Sequence, residues 1–106
     1  MEIKIPFNNW SKERLNSKLK LATTRNKRYG KIGDTFSVDI KHRKYTFEIL
    51  AVFQLTLYYV AKDLYAIEGA DSPLEFRKVW EEIHPKLGWT PDKKVFVHLF
   101  RLTEVS

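Results

Sequence analysis

Four cations, Arg25, Lys27, Arg28 and Lys31, fall within seven residues of one another, with a single aromatic ring, Tyr29, among them. Lys20, Thr23 and Thr24 stand just upstream, and Gly30 and Gly33 can turn the backbone between them and the following segment. Guanidinium and ammonium groups neutralise phosphate, hydroxyls add hydrogen bonds, and an exposed ring offers a face on which a base can stack. The stretch from Lys20 to Asp34 therefore has the parts of a surface that contacts phosphates and bases. A solvated basic loop has the same composition, so the local pattern leaves both open. Arg25 carries the same duality: its planar fork suits a phosphate or a base edge, and equally an ion pair with Asp34. Tyr29, Tyr65 and Trp89 are candidate stacking platforms, whereas Phe76, Trp80 and Phe100 fall at the periodic spacing of core residues.

Other chemistries are excluded by what the chain lacks. There is no cysteine, which removes disulfides and thiolate catalysis and fits a reducing cytoplasm or a thermophile. His42, His84 and His98 have no metal-binding spacing, so no metal is expected. The glycines match no phosphate-loop or dinucleotide signature, so no cofactor is expected either. His84 stands where it can cap a helix C-terminus, and His98 reads as a buried strand histidine. No apolar run approaches a membrane span and the N-terminus lacks a signal-peptide pattern, which points away from a membrane and towards a cytoplasmic location. The formal charge of +6 favours polyanionic partners. A protein-interaction module with a basic face remains an alternative.

The elements that must position these groups follow from periodicity. At 106 residues the chain can bury one core and not two, so residues 1–106 are expected to form a single domain. Ile3, Ile5 and Phe7 alternate with Glu2 and Lys4, a half-buried strand with Pro6 at its end. Asn8 to Ser11 offers N-caps for a short helix through about Ser17. Phe36, Val38 and Ile40 face one way along Thr35–Ile40, Lys41–Lys44 turns, and Tyr45–Phe53 returns as a longer strand with Tyr45, Phe47, Ile49, Ala51 and Phe53 inward. Tyr58–Ala66 suits a short helix. Ser72-Pro73-Leu74-Glu75 is a capping box with proline at the first helical position, and Phe76, Val79, Trp80 and Ile83 then repeat at helical spacing until Pro85. Val95–Leu102 closes as a strand apolar on both faces apart from His98 and Arg101. About five strands with two or three inserted helices predict an α+β domain, specifically a small β-barrel decorated by helices.

The ordered set Lys20-Leu-Ala-Thr23-Thr-Arg25, a basic loop ending in Gly33-Asp34, Glu68-Gly-Ala-Asp-Ser, Ile83-His84-Pro85 and Val97-His98-Leu-Phe100 resembles the ASCH domain family over nearly the whole chain. The resemblance implies a PUA-like fold, a small β-barrel associated with RNA, and hence RNA or a modified nucleoside as the partner, held beside the Lys20–Arg25 segment. Some members resemble amidohydrolases that remove the acetyl group of N4-acetylcytidine, and others are ribonucleases or RNA binders. For the amidohydrolases the resemblance implies catalytic roles for Lys20, Thr23 and Glu68. The family pattern has glycine followed by two lysines ahead of the threonine segment, and this chain has Ser17-Lys18-Leu19-Lys20 instead.

Amide hydrolysis without a metal needs a nucleophile, a base for its proton and an acid for the leaving amine. Thr23 has the hydroxyl, and Lys20 serves as the base if burial or neighbouring cations depress its pKa; otherwise it is a surface lysine. Residues three apart on a flat strand face opposite sides, so Lys20 and Thr23 require a turn or bulge to converge. Of the two acidic candidates, Glu75 is occupied by its capping box, which leaves Glu68 as the functional carboxylate or as an exposed loop residue.

Overall fold

The computed structural model describes residues 1–106. Three helices and four strands follow one another along the chain as α1 (Asn9–Asn16), β1 (Ala22–Arg25), β2 (Thr35–Ile40), β3 (Arg43–Thr56), α2 (Leu57–Asp63), α3 (Pro73–Ile83) and β4 (Lys94–Val105). The strands form one antiparallel sheet in the order β1-β4-β3-β2. Long β3 and β4 are its spine, and β3 changes register at Thr46/Phe47 and again at Ile49/Ala51. Such bulges bend a strand and increase its twist, and the sheet curls into a half-barrel. No helix is long and apolar enough to cross a membrane.

Burial on both faces of β4 follows from its alternation. Val95 and Val97 belong to a cluster with Leu57 and Val60 of α2 and Phe76 and Trp80 of α3. Phe100 lies in a second cluster with Phe36, Val38, Phe47 and Ile49, where Phe36, Phe47 and Phe100 meet with centroids 5.2–5.3 Å apart. The inward set expected along β3 changes sides at the second bulge. Tyr45, Phe47 and Ile49 enter the second cluster with Val52, whereas Phe53 and Leu55 enter the first.

Two expectations are corrected. Glu2–Phe7 is not a strand: one parallel bridge, Glu2 to Thr35, ties it to the sheet edge, through Ile3 N–H donating to Thr35 O at 2.8 Å and Thr35 N–H donating to Met1 O at 2.9 Å. Pro6 has no N–H with which to continue the ladder. The sheet therefore has four strands rather than about five, and these curl into a half-barrel as the barrel expectation implied. The helix ahead of Ser72 ends at Asp63 rather than Ala66, and the chain passes through turns to Gly69 before α3 starts. There Ser72 Oγ accepts from Glu75 N–H at 3.1 Å, while Glu75 Oε1 accepts from Asp71 N–H at 2.8 Å. Glu75 is thus held by helix capping, as its position in the capping box implied.

Candidate functional site

Lys20 precedes β1, so strand alternation does not constrain it. The turn after α1 runs through Lys18 in the left-handed region, φ 62°, a conformation that costs a non-glycine residue about 1–2 kcal/mol. Leu21 and Ala22 then donate their N–H groups to Ile67 O at 2.6 and 3.0 Å. This backbone seam places Lys20 beside Glu68, forty-eight positions away in sequence. Gly69 completes the approach. It has φ 95°, and a Cβ there would stand 2.8 Å from Arg14 Cγ and 3.3 Å from Lys20 Cβ, so only glycine fits without displacement.

The result is a buried polar floor. Lys20 Nζ lies 3.0 Å from Glu68 O and 3.4 Å from Glu68 Oε1, and the two residues are 5% and 3% exposed. Thr24 Oγ1 donates to Glu68 Oε2 at 2.7 Å. These values settle two questions that local sequence left open, since Lys20 is not a surface lysine and Glu68 is not an exposed loop residue. Burial is the largest influence on both. It pushes the Lys20 ammonium below its ordinary pKa and the Glu68 carboxyl above its own, against their mutual attraction. Each is moved towards its neutral form.

A cleft of about 550 Å3 opens over this floor, lined by Lys20, Thr23, Thr24 and Glu68, by Trp10 and Phe7, by Arg25, Lys27 and Tyr29, and by the α3 residues Phe76, Val79, Trp80 and Ile83. Lys20 and Thr23 therefore face the same space. Thr23 Oγ1 accepts from Arg25 Nε at 3.0 Å. The Arg25 guanidinium lies 4.9 Å from the Phe7 ring centroid and 5.7 Å from that of Tyr29, and Lys27 Nζ lies 5.0 Å from Tyr29. No ion pair joins Arg25 to Asp34, whose Oδ2 instead accepts from Lys31 N–H at 3.0 Å. Burial lowers the Arg25 pKa, but a guanidinium starts so high that it stays charged.

His98 ties the floor to the rim. Its Nδ1 lies 3.2 Å from Thr23 O, and Tyr29 N–H donates to its Nε2 at 3.0 Å. A carbonyl can only accept and an amide N–H can only donate, so the imidazole is neutral with its proton on Nδ1. The ring is fully buried, and that burial holds its pKa below the ordinary 6.5. Protonation would set an Nε2–H against the Tyr29 N–H. The unfolded chain then binds the proton first. The contribution to stability is complete above about pH 6.5 and is lost as pH falls from there through the folded pKa, by up to about 1.4 kcal/mol per pH unit. Urea unfolding between pH 7.5 and 5 should show that slope in the wild type and a slope smaller by about one proton in His98→Gln; equal slopes would contradict the locked tautomer.

Of the residues singled out from sequence, Lys20, Thr23, Arg25, Lys27, Tyr29 and Glu68 come together around the cleft. Four do not. Arg28 donates through Nε to Gly30 O on the exposed side of the loop, and Lys31 is solvent-exposed. Tyr65 packs against the first core cluster. Trp89 meets the edge of Phe76 and lies under the Arg77 guanidinium, 5.4 Å away. Sequence reasoning missed Thr24, Phe7 and Trp10. The signal for Thr24 was a second hydroxyl on a strand with one helix-facing side. Phe76 and Trp80 are core residues as expected and also wall the cleft. His84 caps α3, its N–H and Nδ1 both meeting Trp80 O, at 2.9 and 3.1 Å.

No family model and no curated protein matches the sequence. Solved structures match the fold. An ASCH domain from Lactobacillus crispatus superposes with a TM-score of 0.68 at 15% identity, over 93% of this chain and 77% of that one. A DUF984 protein from Enterococcus faecalis superposes with a TM-score of 0.72 at 18% identity, over 100% of this chain and 82% of that one. The chain thus has the small α+β, PUA-like fold seen in an ASCH domain. Fold alone does not specify the reaction.

Proposed function

We propose that the cleft binds an acylated nucleoside of the N4-acetylcytidine kind and hydrolyses its amide without a metal. The observation that supports this reading is the Lys20–Glu68 pair, with Nζ 3.4 Å from Oε1, both residues buried and both lining the cleft. A surface for RNA alone has no need of an amine and a carboxyl pushed towards neutrality at its floor. A general base and a general acid need that pairing of protonation states.

The steps follow from the groups present. Neutral Lys20 takes the proton of the Thr23 hydroxyl as Oγ1 bonds to the acyl carbon. Arg25 Nε–H, already donating to Oγ1, steadies that oxygen as it gives up its proton. The negative charge then rests on the acyl oxygen of the tetrahedral adduct until the carbonyl re-forms. Glu68 gives its proton to the exocyclic nitrogen as the amide C–N bond breaks, releasing cytidine and leaving an acyl-threonine. The proton on Lys20 then returns to Glu68 across their contact. Water attacks the ester with Lys20 as base, and the proton passes to Thr23 Oγ1 as the carboxylic acid leaves. Thr24, donating to Oε2, keeps Oε1 as the oxygen that exchanges the proton.

RNA binding without hydrolysis is the second reading, favoured by Arg25 and Lys27, which form no salt bridge within the protein. One assay separates the two. Purified protein incubated with N4-acetylcytidine should release cytidine, and Thr23→Ala should lower kcat by about 100-fold or more with the fold retained. No release by the wild type, with RNA affinity that falls steeply as salt rises, would favour the binding-only reading.

A further inference from the structure

Arg25 and Lys27 line the cleft without a salt-bridge partner. Neither has a carboxylate within 4.0 Å, although the chain has 13 acidic residues. Glu68 is the one carboxylate among the cleft-lining residues, and it lies at the floor against Lys20. Both cations also lie against one ring. Arg25 is fixed by its Nε bond to Thr23 Oγ1, and the Tyr29 ring has the guanidinium 5.7 Å and the Lys27 ammonium 5.0 Å from its centroid. Phe7 supports the guanidinium from 4.9 Å. Like charges gathered on one ring repel, and an anion between them turns that repulsion into attraction. With Nε committed to Thr23, the two terminal nitrogens of Arg25 present the fork that matches two oxygens of a phosphate. Lys27 adds a mobile point charge.

We propose that Arg25, Lys27 and Tyr29 form a phosphate subsite, so that the cleft's ligand is a nucleotide with a phosphate ester on its ribose. This rests on the nucleoside reading above and adds to it: the base end meets the Lys20–Glu68 floor, and the phosphate end meets the rim. A volume of about 550 Å3 lies within the range of sites that enclose small ligands.

The hydrolysis products supply probes that are not turned over. Dissociation constants of cytidine and cytidine 5′-monophosphate should be measured by titration calorimetry at about 50 mM salt, where screening is modest. The wild type should bind the monophosphate about tenfold or more tightly than cytidine, as expected for charge-assisted hydrogen bonds. Arg25→Gln and Lys27→Gln should each bring that ratio towards one. Lys62→Gln, an exposed charge on α2 away from the cleft, should leave the ratio as it is. Lys27 is solvent-exposed, so its variant tests the subsite even if the Arg25 variant fails to fold. A wild-type ratio near one, or no binding of the monophosphate, overturns the subsite. The nucleoside reading is judged separately, by whether N4-acetylcytidine is hydrolysed. A cytidine trinucleotide that binds more tightly than the monophosphate assigns the phosphate to an RNA chain, and weaker binding assigns it to a free nucleotide.

Discussion

Lys20→Met should lower kcat for N4-acetylcytidine by about 10²- to 10⁴-fold, the range that a positioned general base contributes. The informative companion is Lys20→Arg. A guanidinium preserves the positive charge beside Glu68 but cannot be deprotonated in a protein. If Lys20 served only to hold a charge there, arginine would restore much of the rate. As a base it is irreplaceable by arginine, and both variants should be inactive to a similar degree. The wild-type rate should rise with pH as the Lys20 ammonium loses its proton and fall as the Glu68 carboxyl does, with activity confined to the molecules in which the amine and the acid are both neutral. Burial, which lowers the one pKa and raises the other, enlarges that fraction. Activity retained in Lys20→Arg would sink the mechanism.

The second large effect is on stability, and its sign depends on pH. Removing one member of a buried pair typically costs about 3–5 kcal/mol, because the other is left as an uncompensated charge. Here the remaining partner can neutralise itself. Lys20 is the charge that opposes the burial-driven rise in the Glu68 pKa, so in Lys20→Met that pKa climbs further. Between the carboxyl's ordinary value of 4.5 and the raised folded value, the native state binds a proton that the unfolded chain has released. Stability then falls as pH rises, by up to about 1.4 kcal/mol per unit from this group. Relative to wild type, Lys20→Met should be nearly normal at pH 5 and much weaker at pH 8 in urea unfolding. Adding Glu68→Leu should remove the pH dependence and recover most of the loss. It should not recover all of it, because the Thr24 hydroxyl loses the acceptor it meets at 2.7 Å. A Lys20→Met variant equally stable at both pH values would show that the carboxyl is not buried as described.

The floor could be read in sequence further than its geometry suggests. Lys20, Thr23 and Glu68 stood out through resemblance to the ASCH pattern, and Glu75 could be set aside because helix capping accounts for it. The ASCH pattern has a glycine ahead of its lysine, and this chain makes a left-handed turn at Lys18 with no glycine. Hydrogen bonds to Arg14 O and Ile67 O on either side hold that turn without a glycine. Thr24 was missed because strand alternation places it on the helix-facing side opposite Val97, where only the folded position of Glu68 gives its hydroxyl a partner.

Charge density along the chain was a weaker guide. Arg25, Lys27, Arg28 and Lys31 are equivalent in a linear reading, but the loop directs the first two to the cleft and the others to solvent or to local backbone. The N-terminal segment alternates as a strand does, and its proline limits it to a single bridge.

Composition and periodicity by themselves determined the α+β class, the approximate places of the helices and of β2, β3 and β4, and the chemical types available to the site, because these depend on local patterns of apolar and capping residues. Tertiary structure alone decided which cations share one ring, which threonine meets Glu68 and that Lys20 and Glu68 are buried together. Those properties arise from contacts between residues distant in sequence, and burial, which sets their protonation, exists only once the sheet has curled and the turn at Gly69 has closed against it.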